Sequence, residues 1–145
     1  IIQDEDYFRA EVAPHLGDDI RYLGPVTATE RPAVLGGAHA LLHLFDFDEP
    51  FGYSVVEAMA CGTPVIANRR GSMPELIDDG TTGFLVSTTE DAVDAVGAAG
   101  RLDRIAIRER AVERFDVSRM IERYVAVYSD ILSSPEPAPA DVPLP

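Results

Sequence analysis

Residues 46–62 read DFDEPFGYSVVEAMACG, and this stretch decides the fold. It follows an apolar run over residues 40–45, which is typical of a buried strand. Pro50 and Gly52 then favour a turn, and the apolar residues after them predict a helix that ends at Gly62. A strand, a loop and a helix in this order form the repeating unit of a parallel α/β sheet. Because ligands bind such sheets at the carboxyl ends of the strands, we expect a site in this loop.

Two carboxylates, Glu49 and Glu57, stand in this unit with seven residues between them. The helix start offers free backbone N–H groups, and Gly52 lets a ligand approach the backbone closely. A carboxylate can accept hydrogen bonds from both hydroxyls of a vicinal diol, as found in a sugar or a ribose. The arrangement therefore suits a nucleotide sugar. The alternatives are a solvated loop acid for Glu49, which neighbours Asp46 and Asp48, and an exposed helix residue for Glu57.

The segments EPFGYSVVEAMACGTPVIA and GSMPELIDDGTTGFLV resemble the donor-binding half of the retaining GT-B glycosyltransferases of family 4. Glu49 and Glu57 match the E-x7-E motif of that family, and the wider similarity runs from about residue 21 to residue 86. The resemblance implies transfer of a hexose from a UDP-, GDP- or ADP-sugar to an acceptor hydroxyl, without a metal or other cofactor. It also implies that Glu49 is the catalytic residue that stabilises the migrating sugar and that Glu57 clamps the ribose.

The same resemblance implies further contacts with the donor. Phe51, Gly52 and Tyr53 match positions whose backbone N–H groups meet the sugar and phosphate, although Tyr53 replaces a residue that is more often aliphatic. Val26 matches a position whose backbone contacts the base, and Arg31 matches a nearby basic position. For these last two residues, plain packing is an equally good interpretation.

Several other charged or polar residues also have interpretations that involve no ligand. Arg69 and Arg70 can supply positive charge to a leaving pyrophosphate, but a pair of surface arginines is the preferred interpretation. Glu75 also matches the family pattern, but an acid in the first turn of a helix is the simpler interpretation, and its role stays open. The three histidines, His15, His39 and His43, lack partners at ligand spacing, so no metal site is predicted.

The whole chain predicts a doubly wound, Rossmann-like α/β domain with helices on both faces of a parallel sheet. Residues 1–134 form the nucleotide-sugar-binding domain, and residues 135–145, with five prolines, form a disordered tail. The last helix places six apolar residues on one face. The predicted helices are Gln3–Leu16, Thr29–Ala38, Met73–Ile77, Thr88–Ala99, Leu102–Phe115 and one that Asp116 caps; the further strands are Ile20–Val26, Pro64–Ala67 and Phe84–Val86; the apolar face comprises Val117, Met120, Ile121, Tyr124, Tyr128 and Ile131.

Composition narrows the possible partners. With 12 basic and 25 acidic residues the net charge is −13, which argues against nucleic acid or anionic lipid. No apolar run approaches the roughly 20 residues of a membrane span, and Cys61 has no disulfide partner. We therefore expect a cytoplasmic protein.

The predicted sheet has about four strands, fewer than the five or six that such a sheet normally has. In the resembling family, two N-terminal strands and a phosphate-binding Arg and Lys precede the first helix. We therefore expect a fragment that is inactive without the N-terminal domain of the same enzyme, which would also provide any membrane contact. The alternatives are a stand-alone, non-catalytic nucleotide-sugar-binding or interaction module and another GT-B enzyme, such as a sugar-nucleotide epimerase.

Overall fold

The computed structural model describes residues 4–134 and contains a three-stranded parallel sheet in the order β1-β2-β3. The central strand pairs with both neighbours, so that Val65 lies opposite Leu41 on one side and Gly83 on the other. The strands are β1 (Leu41–His43), β2 (Val65–Asn68) and β3 (Gly83–Val86). The helices are α1 (Glu5–Tyr7), α2 (Arg31–Gly37), α3 (Tyr53–Ala60), α4 (Met73–Leu76), α5 (Thr89–Ala99), α6 (Arg104–Phe115) and α7 (Val117–Ser133).

Helices cover the central strand on both faces. Because side chains alternate along a strand, Val65 and Ala67 pack into one core with α3, α4 and α6, whereas Ile66 packs into a second core with α5. This double burial explains why β2 reads as a continuous apolar run. The Rossmann-like α/β class predicted from the sequence is confirmed.

Two glycines allow the close approaches that hold these layers together. A Cβ on Gly83 would lie 2.0 Å from the carbonyl oxygen of Val65, so β3 can pair with β2 only if this residue has no side chain. A Cβ on Gly62 would lie 2.6 Å from the carbonyl oxygen of Arg104, and Gly62 has a φ of +74°. The end of α3 therefore meets the start of α6 through a glycine that also suits a left-handed backbone.

The predicted caps are present, with small shifts of helix bounds. Thr88 and Asp91 form the expected capping box at the start of α5, and Asp116 caps α7. The helix predicted from Leu102 begins at Arg104, because the side chain of Asp103 accepts the first backbone N–H groups of α6. The predicted first helix is helical from Glu5 to His15, as α1 followed by a π-helical segment (Phe8–Val12) and a 3-10 turn (Ala13–His15).

The predicted strand Ile20–Val26 is wrong. The segment is a loop, and Tyr22 and Leu23 are exposed. Gly24 has a φ of +69°, and Pro25 has no N–H to donate to a neighbouring strand. A β-branched and aromatic composition was therefore insufficient to form a strand across these two residues. The predicted tail, residues 135–145, lies outside the described part of the chain.

Candidate functional site

The loop between β1 and α3 carries the first predicted carboxylate. Oε1 of Glu49 accepts hydrogen bonds from the backbone N–H groups of Gly52 at 3.1 Å and of Phe51 at 3.4 Å. Gly52 has a φ of +92°, and a Cβ there would lie 2.7 Å from Cε of Met73. The left-handed backbone favours glycine here, and a side chain would also have to displace the end of Met73. The Glu49 carboxylate therefore lies at the N-terminus of α3, at the carboxyl end of β1.

The second carboxylate, Glu57, lies on α3 and forms an ion pair with Arg31 of α2 through its Oε1 atom. Both side chains are partly exposed, so the pair is open to solvent and to a ligand. The sequence indicated these two residues separately, and the structure brings them together. Of the two oxygens of Glu57, only Oε1 is engaged by a hydrogen bond within residues 4–134.

The other predicted donor contacts are distributed along neighbouring loops. The rings of Phe51 and Tyr53 are in contact, with centroids 4.7 Å apart, and Tyr53 is 77% exposed. Val26 is half-buried and lines a cavity of about 380 Å³ together with residues at the start of α2. Next to it, Glu30 accepts hydrogen bonds from the hydroxyl of Thr27 at 2.6 Å and from its backbone N–H at 3.1 Å. These bonds lower the pKa of Glu30 and fix the loop that presents Val26.

The two arginines considered for the pyrophosphate are both paired with carboxylates. Arg69 contacts Oδ2 of Asp79 at 2.5 Å and the carbonyl oxygen of Leu85 at 3.3 Å. Arg70 instead contacts Oδ1 of Asp46 at 2.6 Å and Oδ1 of Asp48 at 2.9 Å. Neither partner set was predicted, because each joins segments far apart in the sequence.

Sequence reasoning also missed the position of His43 beside this site. His43 ends β1, is 5% exposed, and packs edge-on against Phe45 with ring centroids 4.5 Å apart. Its Nδ1 atom lies 3.5 Å from Oγ of Ser54, whereas its Nε2 atom has no hydrogen-bond partner within the described residues. Burial lowers the pKa of His43, and the nearby charge of Glu49 opposes part of that shift. The net lowering of its pKa favours the neutral imidazole.

Polar groups also gather at the carboxyl ends of β2 and β3. A cavity of about 290 Å³ lies there, next to the acidic loop. It is lined by Asp46, Asn68, Arg69, Arg70, Val86 and Ser87. Within residues 4–134 no cluster of three or more His, Cys, Asp or Glu side chains has the geometry of a metal site. Across the same residues, no helix combines the length and apolar character needed to cross a bilayer.

A parallel sheet with helices on both faces, and with polar residues at the carboxyl ends of its strands, defines an open α/β domain, a class that binds ligands at that edge of the sheet. A sequence model of the family described as glycosyl transferases group 1 matches residues 4–106. The chain belongs to this family.

Individual relatives agree with this assignment. The D-inositol 3-phosphate glycosyltransferase of Corynebacterium kroppenstedtii is 34% identical over 131 residues, covering 84% of this chain and 29% of that protein. The structure of AviGT4, a glycosyltransferase involved in avilamycin A biosynthesis, matches with a TM-score of 0.76 and 26% identity, covering 92% of this chain and 42% of its own. Anabaena HepE in complex with UDP and glucose matches with a TM-score of 0.62 and 26% identity, covering 79% and 33%. The chain spans about a third of the length of the curated relatives it matches.

Proposed function

We propose that this chain is the donor-binding part of a retaining glycosyltransferase of family 4, which moves a hexose from a nucleotide sugar to an acceptor hydroxyl. The observation that carries the proposal is the carboxylate of Glu49 at the amides of Phe51 and Gly52, at the carboxyl end of β1. Hydrogen-bond donors and an acceptor thus meet where open sheets bind ligands. The similarity to HepE, whose structures contain UDP, UDP-glucose or UDP with glucose, supports a nucleotide sugar as the ligand.

Glu49 is assigned the role of stabilising the transferred sugar. Within the described residues its Oε1 atom accepts the two backbone N–H groups, which leaves Oε2 for a sugar hydroxyl. A fixed negative charge near the reacting carbon favours an oxocarbenium-like transition state. The start of α3 at Tyr53 would meet oxygens of the sugar and the phosphate, and the amides of Phe51 and Gly52 would do so once they exchange the Glu49 carboxylate for the ligand.

Glu57 is assigned the role of binding the ribose of the nucleotide. Its Oε2 atom remains for a ribose hydroxyl, while Oε1 is held by Arg31, which thereby orients the carboxylate. The loop that contains Val26 lies directly before α2, where the backbone of Val26 would meet the base. We propose that this binding needs no metal ion and that the acceptor site and the complete activity belong to the whole protein.

Isothermal titration of the full chain with UDP, GDP, ADP and their glucose and mannose conjugates tests this proposal. We expect one nucleotide to bind, and we expect Glu57→Gln to weaken it by about tenfold or more, because a hydrogen bond to a charged group is lost. Glu49→Gln should weaken the sugar conjugate but leave the free nucleotide unchanged. Glu122→Gln, on exposed α7, is the matched control and should bind like the wild type. If the wild type and both site variants bind equally well, the roles assigned to Glu49 and Glu57 are contradicted.

A stand-alone interaction module is the second candidate, because α7 exposes an apolar face over its whole length. The two candidates differ in one measurement. A chain that is folded and monomeric, and that binds none of these nucleotides and conjugates, would favour the module over the transferase part.

A further inference from the structure

The loop between β2 and α4 contains Arg70, Gly71 and Ser72, which we call the brace. The brace lies directly against residues 46–52, the acidic loop that carries Glu49. Ser72 donates its backbone N–H to the carbonyl oxygen of Glu49 at 2.9 Å. Its hydroxyl donates to the carbonyl oxygen of Phe51 at 2.8 Å. The carbonyls of Glu49 and Phe51 are therefore both fixed by one residue.

Gly71 lets the backbone of the brace approach the backbone of Glu49 closely. A Cβ on Gly71 would lie 2.7 Å from both the nitrogen and the carbonyl oxygen of Glu49, and the residue has a φ of +55°. No side chain fits there without displacing the backbone of Glu49. The brace therefore sets the position of that backbone directly.

Arg70 holds the other end of the acidic loop. Its Nε and Nη1 atoms contact two different carboxylates, those of Asp48 and Asp46. Together with Glu49, these aspartates place three negative charges within four residues. Like charges at such short separations repel one another, and an anionic ligand would add to the repulsion. The guanidinium compensates this charge and ties the two aspartates to one point.

The neighbouring arginine offers a built-in comparison. Arg69 contacts Asp79 and the carbonyl oxygen of Leu85, which belong to β3 and the turn before it. The two adjacent side chains thus serve different segments. Arg69→Gln is therefore a matched control for Arg70→Gln.

We propose that Arg70 is a positioning residue that holds the acidic loop, and with it Glu49, in place through Asp46 and Asp48, and that it does not bind the donor phosphates. This inference rests on the proposed function only where it concerns the donor. Because these ion pairs are largely exposed, they contribute little to global stability. We therefore expect the ion pairs of Arg70 to affect the local order of residues 46–52 and not the global stability.

Hydrogen exchange of the ligand-free full chain, followed by mass spectrometry, tests the brace without any donor. In Arg70→Gln we expect the amides of residues 46–56 to exchange about tenfold faster, since the loop opens locally. In Arg69→Gln we expect faster exchange in residues 79–86 and no change in residues 46–56. Unchanged exchange of residues 46–56 in Arg70→Gln would overturn the proposal. A thermal melt of each variant checks that the fold is retained.

Titration with UDP and UDP-glucose then separates positioning from phosphate binding. We expect Arg70→Gln to weaken UDP-glucose by about tenfold, because a misplaced group loses its interaction with the sugar, and to leave UDP nearly unchanged. In a background of Asp46→Asn and Asp48→Asn, the same substitution should have no further effect. A loss of equal size for UDP, UDP-glucose and inorganic pyrophosphate would show a phosphate ligand and overturn the proposal. If the wild type binds no nucleotide, the proposed function fails, and the exchange experiment still decides whether the brace exists.

Discussion

Helices α3 and α7 both carry apolar residues along one side, yet they differ in how far these residues are buried. In α3, an eight-residue helix, Val55 and Ala58 are fully buried. The 17-residue helix α7 has no buried residue, and Leu132 is 86% exposed. An amphipathic pattern thus indicates which side of a helix can be covered, but it does not tell what covers it.

The neighbours of each helix explain the difference. Helix α3 packs against the sheet and against α6, so its apolar side chains join the first core. Helix α7 contacts α6, and near the junction of the two helices Phe115, Met120 and Tyr124 line a cavity of about 300 Å³ with Phe51. The molecule therefore divides into a packed region around the sheet and an open region along α7. Substitutions of the same chemical kind should have unequal effects in the two regions.

The largest effect is expected where β3 pairs with β2. Gly83→Ala places a Cβ 2.0 Å from the carbonyl oxygen of Val65, which the sheet cannot accommodate without losing this pairing. We expect the free energy of unfolding to fall by about 4 kcal/mol or more, as measured by urea denaturation.

Gly97→Ala is the control for that substitution. It lies in α5, where a Cβ meets nothing within 4 Å, and it should raise stability by about 0.5–1 kcal/mol through helix propensity. Similar stability of the two variants would contradict the packing of β3 on β2.

A pair of isoleucines on α6 tests the packed core itself. Ile107 is fully buried, whereas Ile105 is 71% exposed. We expect Ile107→Ala to lower the free energy of unfolding by about 3 kcal/mol through lost burial and the remaining cavity. Ile105→Ala should change it by less than about 0.5 kcal/mol. If the two variants lose the same free energy of unfolding in urea denaturation, the packing of Ile107 rather than Ile105 into the core is contradicted.

The cap of α5 has an intermediate effect. Oγ of Thr88 accepts the N–H of Asp91 at 3.1 Å, and Oδ2 of Asp91 accepts the N–H of Thr88 at the same distance. Thr88→Ala removes one of these bonds and should cost about 1 kcal/mol. Thr89→Ala, one residue further on, should cost less than half as much. Circular dichroism of thermal unfolding measures both.

The cap was predictable because its signals lie three residues apart in the chain. The strands β1, β2 and β3 were predictable for the same local reason, because each lies in a short apolar run of the sequence. By contrast, Arg31 and Glu57 are 26 residues apart in the sequence, and Arg70 and Asp46 are 24 residues apart. No local sequence pattern therefore predicts either ion pair. The strand predicted at Ile20–Val26 failed because Gly24, with a φ of +69°, and Pro25, which has no N–H to donate, interrupt it.

A pH dependence is expected at the turn before β3. The backbone N–H of Leu85 donates to Asp79, and Arg69 adds a second contact, so the pKa of Asp79 is lowered. A lowered pKa in the folded state means that the ionised carboxylate stabilises the fold above its unfolded pKa of about 3.9. This contribution is lost as the pH falls through the folded pKa. Solvent exposure of the pair keeps it small.

Asp79→Asn tests this contribution directly. The variant should be less stable than the wild type at pH 7, and the difference should close at a pH below the folded pKa of Asp79. Urea denaturation at both pH values measures it. A difference that stays constant down to low pH would mean that the carboxylate charge contributes nothing.

The smallest effect is expected on α7, where the contrast between the two regions is sharpest. Leu132→Ser exchanges a side chain that is mostly in water, so we expect the free energy of unfolding to change by less than about 0.5 kcal/mol. Leu76→Ser, the same substitution at a residue of α4 that is 5% exposed, should cost about 3 kcal/mol because the side chain leaves the core and a hydroxyl enters it. Urea denaturation at two protein concentrations measures both variants. A loss above about 1 kcal/mol for Leu132→Ser, growing with protein concentration, would mean that the apolar face of α7 is covered by a second copy in solution.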